Sequence, residues 1–151
     1  MPTVTAPKRR TRGSSKAPPP DPGCQACGWK PAPGQLWPTE GEVACRWIQN
    51  KCIAGEGDWY GKLLELRPDQ QAFVYRWYEF CPHCGQWHYD EAVRGGATGD
   101  GKTQFVAALV LLEFAGPPQI APTSPNIPIA AASFEQADLL FSAVATMCGG
   151  K

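Results

Sequence analysis

Residues 96–103 read GATGDGKT and fit the pattern G-x-x-x-x-G-K-[ST] at every fixed position. Glycines in such a loop let successive backbone N–H groups point at phosphate oxygens, and the following helix adds the positive end of its dipole. In this pattern Lys102 reaches the β- and γ-phosphates, and the Thr103 hydroxyl ligates Mg²⁺. A glycine-rich turn that matches by chance is the alternative. The pattern favours ATP and Mg²⁺ binding by the phosphate loop, which consists of Gly96, Ala97, Thr98, Gly99, Asp100, Gly101, Lys102 and Thr103.

Two short cysteine motifs of the same form could supply a metal site. Each has the form C-x-x-C-G, and the four cysteines are Cys24, Cys27, Cys81 and Cys84. Such a turn places two thiolates on one ion, and two turns complete a tetrahedral Cys₄ zinc site. The gap between the motifs is longer than in a compact zinc ribbon, and unrelated free thiols are the alternative. His83 and His88 are spare ligands nearby, whereas three other cysteines follow helical patterns and are expected to be buried: Cys45, Cys52 and Cys148.

The remaining pattern predicts the elements that position these motifs. Apolar spacing and capping residues predict helices over 39–52, 68–80, 102–115 and 133–148. Strand candidates cover 87–93 and 127–132. Strand, loop, helix, strand and helix in that order are typical of a parallel α/β sheet. The predicted fold is therefore α/β: a partial P-loop NTPase sheet with flanking helices, after a disordered basic tail and a zinc-knuckle region.

The predicted organisation has three parts. Residues 1–23 form the tail, residues 24–86 a helical region with both cysteine motifs, and residues 87–151 the start of a truncated P-loop ATPase domain. An ATPase also needs an acidic residue to hold magnesium. Residues 109–113 (LVLLE) resemble such a strand end, but they continue the helix begun at Lys102. Since no other candidate follows, we expect little or no ATPase activity from this chain alone.

Charge is unevenly distributed along the chain. Lys plus Arg equals Asp plus Glu at 14 each, yet five basic residues and no acidic residue fall within the first sixteen positions. This segment has almost no apolar side chains, so we expect it to be disordered and solvated. The more specific alternative is that these basic side chains contact DNA phosphates. No segment predicts a membrane span or a secretory signal.

Three segments together resemble the large terminase subunits of tailed phages, in particular those of actinobacterial phages. RPDQQAF at 67–73 resembles the segment that precedes their phosphate loop. GATGDGKT resembles the loop itself, and IAAASFEQADLLF at 129–141 resembles the strand and helix that follow it. The resemblance covers roughly residues 60–150, and it implies a much longer parent protein that uses ATP to package DNA.

The resemblance assigns roles to individual residues. Gln70 matches the glutamine that reads adenine in this family, with Gln71 as the alternative if the register slips by one. The family usually carries a basic catalytic residue near the position of Thr98, which is neutral here, so Arg94 is the candidate substitute. The acidic nuclease site of the family has no counterpart in this sequence. The implied partners are double-stranded DNA, the portal and the small terminase subunit, in the cytoplasm of a bacterial host.

Two other interpretations remain open. The tail and the cysteine motifs also suit a zinc-stabilised DNA-binding or adaptor module with a vestigial nucleotide site. A truncated gene product without function is the third interpretation. Intact Lys102 and Thr103 favour the nucleotide-binding interpretation.

Overall fold

A computed structural model describes residues 23–55, 57–97, 99–123 and 125–148. The described segments contain four α-helices: α1 (Gly41–Lys51), α2 (Pro68–Trp77), α3 (Lys102–Ala115) and α4 (Phe134–Cys148). A single 3₁₀ turn, Gly57–Trp59, lies between α1 and α2. Every helix in these segments is too short or too polar to span a bilayer.

The ends of α2 and α3 follow from local sequence. Arg67 is extended because the residue before a proline disfavours the α conformation, and Pro68 then occupies the first helical turn. At the end of α3, the Gly116 N–H donates to the Leu112 carbonyl at 2.8 Å. A Cβ at this position would lie 2.2 Å from that carbonyl oxygen, so the close return of the chain requires glycine.

Helices α3 and α4 pack together, and α1 packs against both α2 and α3. The shared core includes Ile48 of α1, Val74 of α2, Phe105 and Leu112 of α3, and Met147 of α4. Because α3 buries apolar side chains against neighbours on two sides, it is the central element. Its first residue is Lys102, so the core fixes where the phosphate loop ends.

A hairpin-like segment, described over residues 52–55 and 57–64, lies between α1 and α2 and is called the arm. Backbone hydrogen bonds close it at two levels, from Ala54 to Lys62 at 2.8 Å and from Leu64 to Cys52 at 2.9 Å. An isolated antiparallel bridge joins Ile53 and Leu63. The arm therefore has a defined shape although it contains no regular strand.

The predicted parallel sheet is wrong. Among the described residues there is no β-strand, only isolated antiparallel bridges. The segment 87–93 has one bridge, at Trp87, and Asp90 and Glu91 interrupt its apolar pattern. The segment 127–132 is irregular and at least partly exposed throughout. A strand needs a neighbour along its length to satisfy its N–H and C=O groups. Within the described chain, segment 87–93 pairs only at its start, with residues 79–80, and segment 127–132 forms no bridge.

The four predicted helices are confirmed, with differences at their ends. The second helix stops at Trp77 instead of residue 80. Thr39 lies one residue before the N-cap residue Glu40. Its hydroxyl accepts the Gly41 N–H at 2.9 Å and donates to the Tyr75 carbonyl at 2.6 Å, so it links the start of α1 to α2. Phe141 of α4 is exposed. Residues 1–22 of the predicted basic tail and Thr98 lie outside the described residues.

Candidate functional site

The two cysteine motifs form turns with the same backbone hydrogen bonds. The Gly28 N–H donates to the Cys24 carbonyl, and the Cys24 N–H donates to the Trp29 carbonyl, both at 2.7 Å. The turn that begins at Cys81 repeats both hydrogen bonds, each at 2.8 Å. Gly28 and Gly85 both have positive φ, 72° and 74°, which an L side chain rarely adopts. Local sequence alone therefore builds each half of the site.

These turns bring four sulfur atoms together, and they are called the cysteine cluster: Cys24, Cys27, Cys81 and Cys84. All four sulfurs lie within 4.8 Å of one another. Sγ of Cys24 lies 3.5 Å from Sγ of Cys84, and Sγ of Cys27 lies 3.6 Å from Sγ of Cys81. Tetrahedral zinc with Zn–S bonds of about 2.3 Å would separate its sulfur ligands by about 3.8 Å. Both distances are too long for a disulfide of about 2.05 Å, and the cluster can hold a metal ion.

Two thiols of the cluster have pKa values that shift in opposite directions. A hydrogen bond from the Cys27 backbone N–H lowers the pKa of Cys24 to about 7. The pKa of Cys27 rises to about 12 despite the Trp29 N–H, because desolvation and hydrogen bonds with the neighbouring thiols favour its protonated form. Four thiolates this close repel one another, so full deprotonation requires a bound cation.

Aromatic residues surround the buried side of the cluster. Trp37 packs with the buried Cys24 and Cys81, and Trp29 packs against them. His88 stacks on Trp37 with ring centroids 3.9 Å apart. The candidate metal group consists of four cysteines and neither of the proposed spare histidines.

Two of the three cysteines outside the cluster are buried, and the third is exposed. Cys45 and Cys52 are buried as expected, and desolvation raises their pKa values to about 11 and about 12. Cys148 is exposed at the end of α4, against expectation.

The phosphate loop has the backbone conformation that its glycines allow. Gly99 and Gly101 have positive φ, 82° and 68°. A Cβ at Gly96 would lie 2.7 Å from Oδ2 of Asp100, so a side chain here would displace that carboxylate. Gly101 is the N-terminal cap of α3 and offers no side chain to its free N–H groups. The loop therefore presents backbone donors at the positive end of a helix.

Lys102 bends back over the loop. Its Nζ donates to the Gly96 carbonyl at 2.9 Å and also to the Ala97 carbonyl. An ammonium group has three N–H donors, so two contacts leave one for another acceptor. Thr103 is exposed in the first turn of α3, where its hydroxyl is accessible.

A chain of ion pairs connects the loop to α2. The Arg67 guanidinium donates to the Asp100 carbonyl and pairs with its carboxylate, both at 3.0 Å. Arg67 also pairs with Asp69 at 3.1 Å, and Asp69 pairs with Arg94 at 2.6 Å. Hydrogen bonds from Arg67 and then Arg94 lower the pKa of Asp69 to about 2. This chain fixes the loop relative to α2.

A cleft of about 520 Å³, called the arm cleft, lies beside the end of the loop. The arm forms one wall, and the first turns of α2 and α3 form the other. Gln70 lines this cleft and is buried, and its Oε1 accepts the Arg67 backbone N–H at 2.9 Å, which caps α2. Gln71 instead donates to the Leu66 carbonyl at 2.8 Å and is not part of the lining.

Arg94 and Glu113 have structural partners away from the loop. The Arg94 guanidinium lies over the Phe105 ring, 4.8 Å from its centroid, and lines a second cleft along α3. Glu113 accepts a hydrogen bond from the buried Tyr78 hydroxyl at 2.7 Å. Burial, followed by the Glu113 charge, raises the pKa of Tyr78. Glu113 lies within α3, which confirms that residues 109–113 are helical.

Sequence reasoning missed two residues of this region. Arg67 was given no role beyond its place in the RPDQQAF segment, yet its guanidinium pairs with Asp100 of the phosphate loop. Trp59 lines the arm cleft and is 60% exposed. Trp59 lies between Gly57 and Gly61 in a short turn, where a tryptophan has no core to pack into. That placement was the sequence feature that could have identified it. The Arg67 contact depends on a tertiary approach that no local pattern reveals.

Comparison with known proteins gives one informative similarity. No protein-family model matches the chain, and no curated protein matches it. The structure superposes on the crystal structure of the HK97 bacteriophage large terminase with a TM-score of 0.59 and 28% sequence identity. The match covers 73% of this chain but only 21% of the terminase, so the chain spans about a fifth of that protein. This similarity supports a terminase-like fold and a terminase-related role.

Proposed function

We propose that this chain is the nucleotide-binding part of a DNA-packaging ATPase, and that it binds ATP with Mg²⁺ through the phosphate loop. Lys102 would contact the β- and γ-phosphates, and Thr103 would ligate the magnesium ion. The remaining loop residues would supply backbone N–H donors. Gln70 would face the base, and Arg94 would act on the transferred phosphoryl group only after leaving Asp69.

The observation that carries this proposal is the position of Lys102 at the junction of loop and helix. Its Nζ already lies across two loop carbonyls, at the N-terminus of a fourteen-residue helix. A phosphate group in the loop would meet that ammonium and the free N–H groups of the helix together. Similarity to a large terminase supports the same assignment from an independent direction.

The cysteine cluster is proposed to hold structural zinc. Four thiolates occupy all four coordination positions of a tetrahedral zinc ion and leave none open for a substrate, which is typical of structural sites. The cluster joins residues that lie 60 positions apart in sequence, Cys24 and Cys84. Zinc would therefore fix the segment before α1 to the segment after α2.

Double-stranded DNA is the proposed polymer on which the complete motor acts, and the portal and the small terminase subunit are its proposed partners. The bacterial cytoplasm is the corresponding compartment. The five basic residues near the start of the sequence would add contacts to DNA phosphates. The cysteine cluster also favours a second candidate function, a zinc-stabilised DNA-binding or adaptor module that does not use nucleotide.

Nucleotide affinity tests the proposal most directly. Calorimetry would measure the Kd of Mg·ATP for the 151-residue chain and for Lys102→Ala. Loss of charge-assisted hydrogen bonds to phosphate should weaken binding roughly 10- to 100-fold. Lys51→Ala is the matched control, because Lys51 is an exposed lysine in the last turn of α1.

Equal affinity of wild type and Lys102→Ala for Mg·ATP would refute the phosphate-loop assignment. DNA binding that depends on the metal, in a protein without measurable nucleotide affinity, would favour the adaptor module instead.

A further inference from the structure

The arm cleft has the size and lining of a small-molecule site. Its volume of about 520 Å³ lies within the range of about 300–1,000 Å³ typical of such sites. Aromatic and aliphatic side chains form most of its walls, with a few polar groups among them. The residues that matter here are Trp59, Leu63, Leu66, Gln70, Gly101 and Gln104.

The cleft opens beside the phosphate loop. Gly101, the last loop residue, belongs to its lining, and a Cβ built there would meet nothing within 4 Å. A molecule whose anionic end lies on the loop can therefore continue into the cleft without a steric barrier at Gly101. Since the walls are mostly apolar, the part that enters should be flat and only weakly polar.

Trp59 is held in position at the mouth of this cleft. The arm that carries it is closed by the backbone hydrogen bonds at Ala54 and Leu64. The Lys62 ammonium lies 4.9 Å from the Trp59 ring centroid, which helps to fix the indole. Tyr60 is the adjacent residue and is 68% exposed, yet it does not line the cleft.

Gln70 supplies the polar group of the inner wall. Its Oε1 accepts the Arg67 N–H, which leaves the Nε2 hydrogens as the donors it can offer to a ligand. A ring nitrogen with a lone pair is a suitable acceptor. A purine base combines such nitrogens with two flat faces.

We propose that Trp59 of the arm stacks on one face of the nucleotide base that Gln70 is proposed to face. This inference rests on the proposed nucleotide binding by the phosphate loop. It adds a binding residue from the arm, outside the loop and α2. Stacking of a base on an aromatic side chain contributes enough that its removal weakens binding by about tenfold or more.

The test compares two ligands that share the phosphate chain. Calorimetry would measure the affinity of the 151-residue chain for Mg·ATP and for magnesium tripolyphosphate, in wild type, Trp59→Ala, Trp59→Phe and Tyr60→Ala. Trp59→Ala should bind Mg·ATP about tenfold more weakly and tripolyphosphate as well as wild type does. Trp59→Phe should keep most of the ATP affinity, and Tyr60→Ala should match wild type for both ligands.

A second measurement does not depend on the alanine variant folding. The indole N–H resonance of Trp59 in wild type, assigned from its loss in Trp59→Phe, should shift with Mg·ATP and not with tripolyphosphate.

Three results would overturn the inference. If Trp59→Ala binds Mg·ATP as tightly as wild type, the stacking role is wrong although nucleotide binding stands. If wild type binds ATP no better than tripolyphosphate, the cleft holds no base and only the loop assignment survives. If wild type binds neither ligand, the proposed function fails and the base site fails with it.

Discussion

The cysteine cluster and the phosphate loop are held in place by different contacts. Each cysteine turn is built by backbone hydrogen bonds within six residues, and the two turns meet so that four sulfurs converge. The phosphate loop depends on side chains from elsewhere, chiefly Arg67 on Asp100, and on the first turn of α3. A metal ion can strengthen the first arrangement, whereas solvent and salt weaken the exposed ion pairs of the second.

Two substitutions in one cysteine turn should have the largest effect. We expect one zinc ion per chain in the wild type and none in Cys81→Ser with Cys84→Ser, because two remaining thiolates cannot complete the site. Loss of a structural metal belongs to the few changes that destabilise a protein by more than about 4 kcal/mol. Elemental analysis and thermal unfolding measure the two effects.

Cys148→Ser is the control for this pair, since Cys148 is an exposed cysteine outside the cluster. It should keep both the zinc and the unfolding temperature. Zinc that persists in the double variant would show that the ligands are other residues.

Removal of Arg67 should affect the phosphate loop and leave the cysteine cluster intact. In Arg67→Ala, the loop loses two contacts at Asp100, each between groups that are partly exposed. Contacts between exposed groups contribute little because water and side-chain entropy offset them, so Mg·ATP affinity should fall by less than about tenfold. Added salt should weaken binding in the wild type more than in the variant, because the variant has less ionic support to lose.

Arg46→Ala provides the comparison, since Arg46 pairs with Glu42 on the surface of α1 and has no contact with the loop. It should leave nucleotide affinity and its salt dependence unchanged. A loss of zinc in Arg67→Ala would contradict the separation of the two sites.

The two sites also differ in how far the sequence predicts them. The spacing C-x-x-C-G identified all four cysteines that converge, because the turn is a local structure. Both ends of α3 were predicted correctly, because a glycine lies at each end of the helix: Gly101 before it and Gly116 after it. The nucleotide roles of the loop residues stay predictions.

Non-local features were beyond the sequence. Segments 87–93 and 127–132 were predicted as strands, but a strand needs a neighbour along its length. In the described chain, the first segment pairs only at its start and the second forms no bridge. The pairing of Arg67 with Asp100 links positions 33 residues apart, and the arm cleft forms where three separate segments meet. Such arrangements depend on packing of α1, α2 and α3, which no local pattern specifies.

The smallest predicted effect is a pH dependence that comes from the ion pairs beside the loop. The Arg67 guanidinium, and then that of Arg94, hold the pKa of Asp69 at about 2, below its ordinary value of 3.8. A carboxylate with a lowered pKa in the folded state stabilises that state fully above its unfolded pKa. This stabilisation is lost as pH falls from about 4 to about 2. Wild type should therefore be slightly more stable than Asp69→Asn above about pH 4, and the difference should shrink toward about pH 2.

Chemical unfolding followed by circular dichroism at several pH values measures this difference, and metal loss in acid affects both proteins alike. Asp138→Asn serves as the control, because Asp138 is an exposed carboxylate on α4 without an ion pair among the described residues. A difference between wild type and Asp69→Asn that is constant down to about pH 2 would mean that Asp69 contributes through its shape and hydrogen bonds, and that its charge does not hold Arg67 and Arg94 beside the loop.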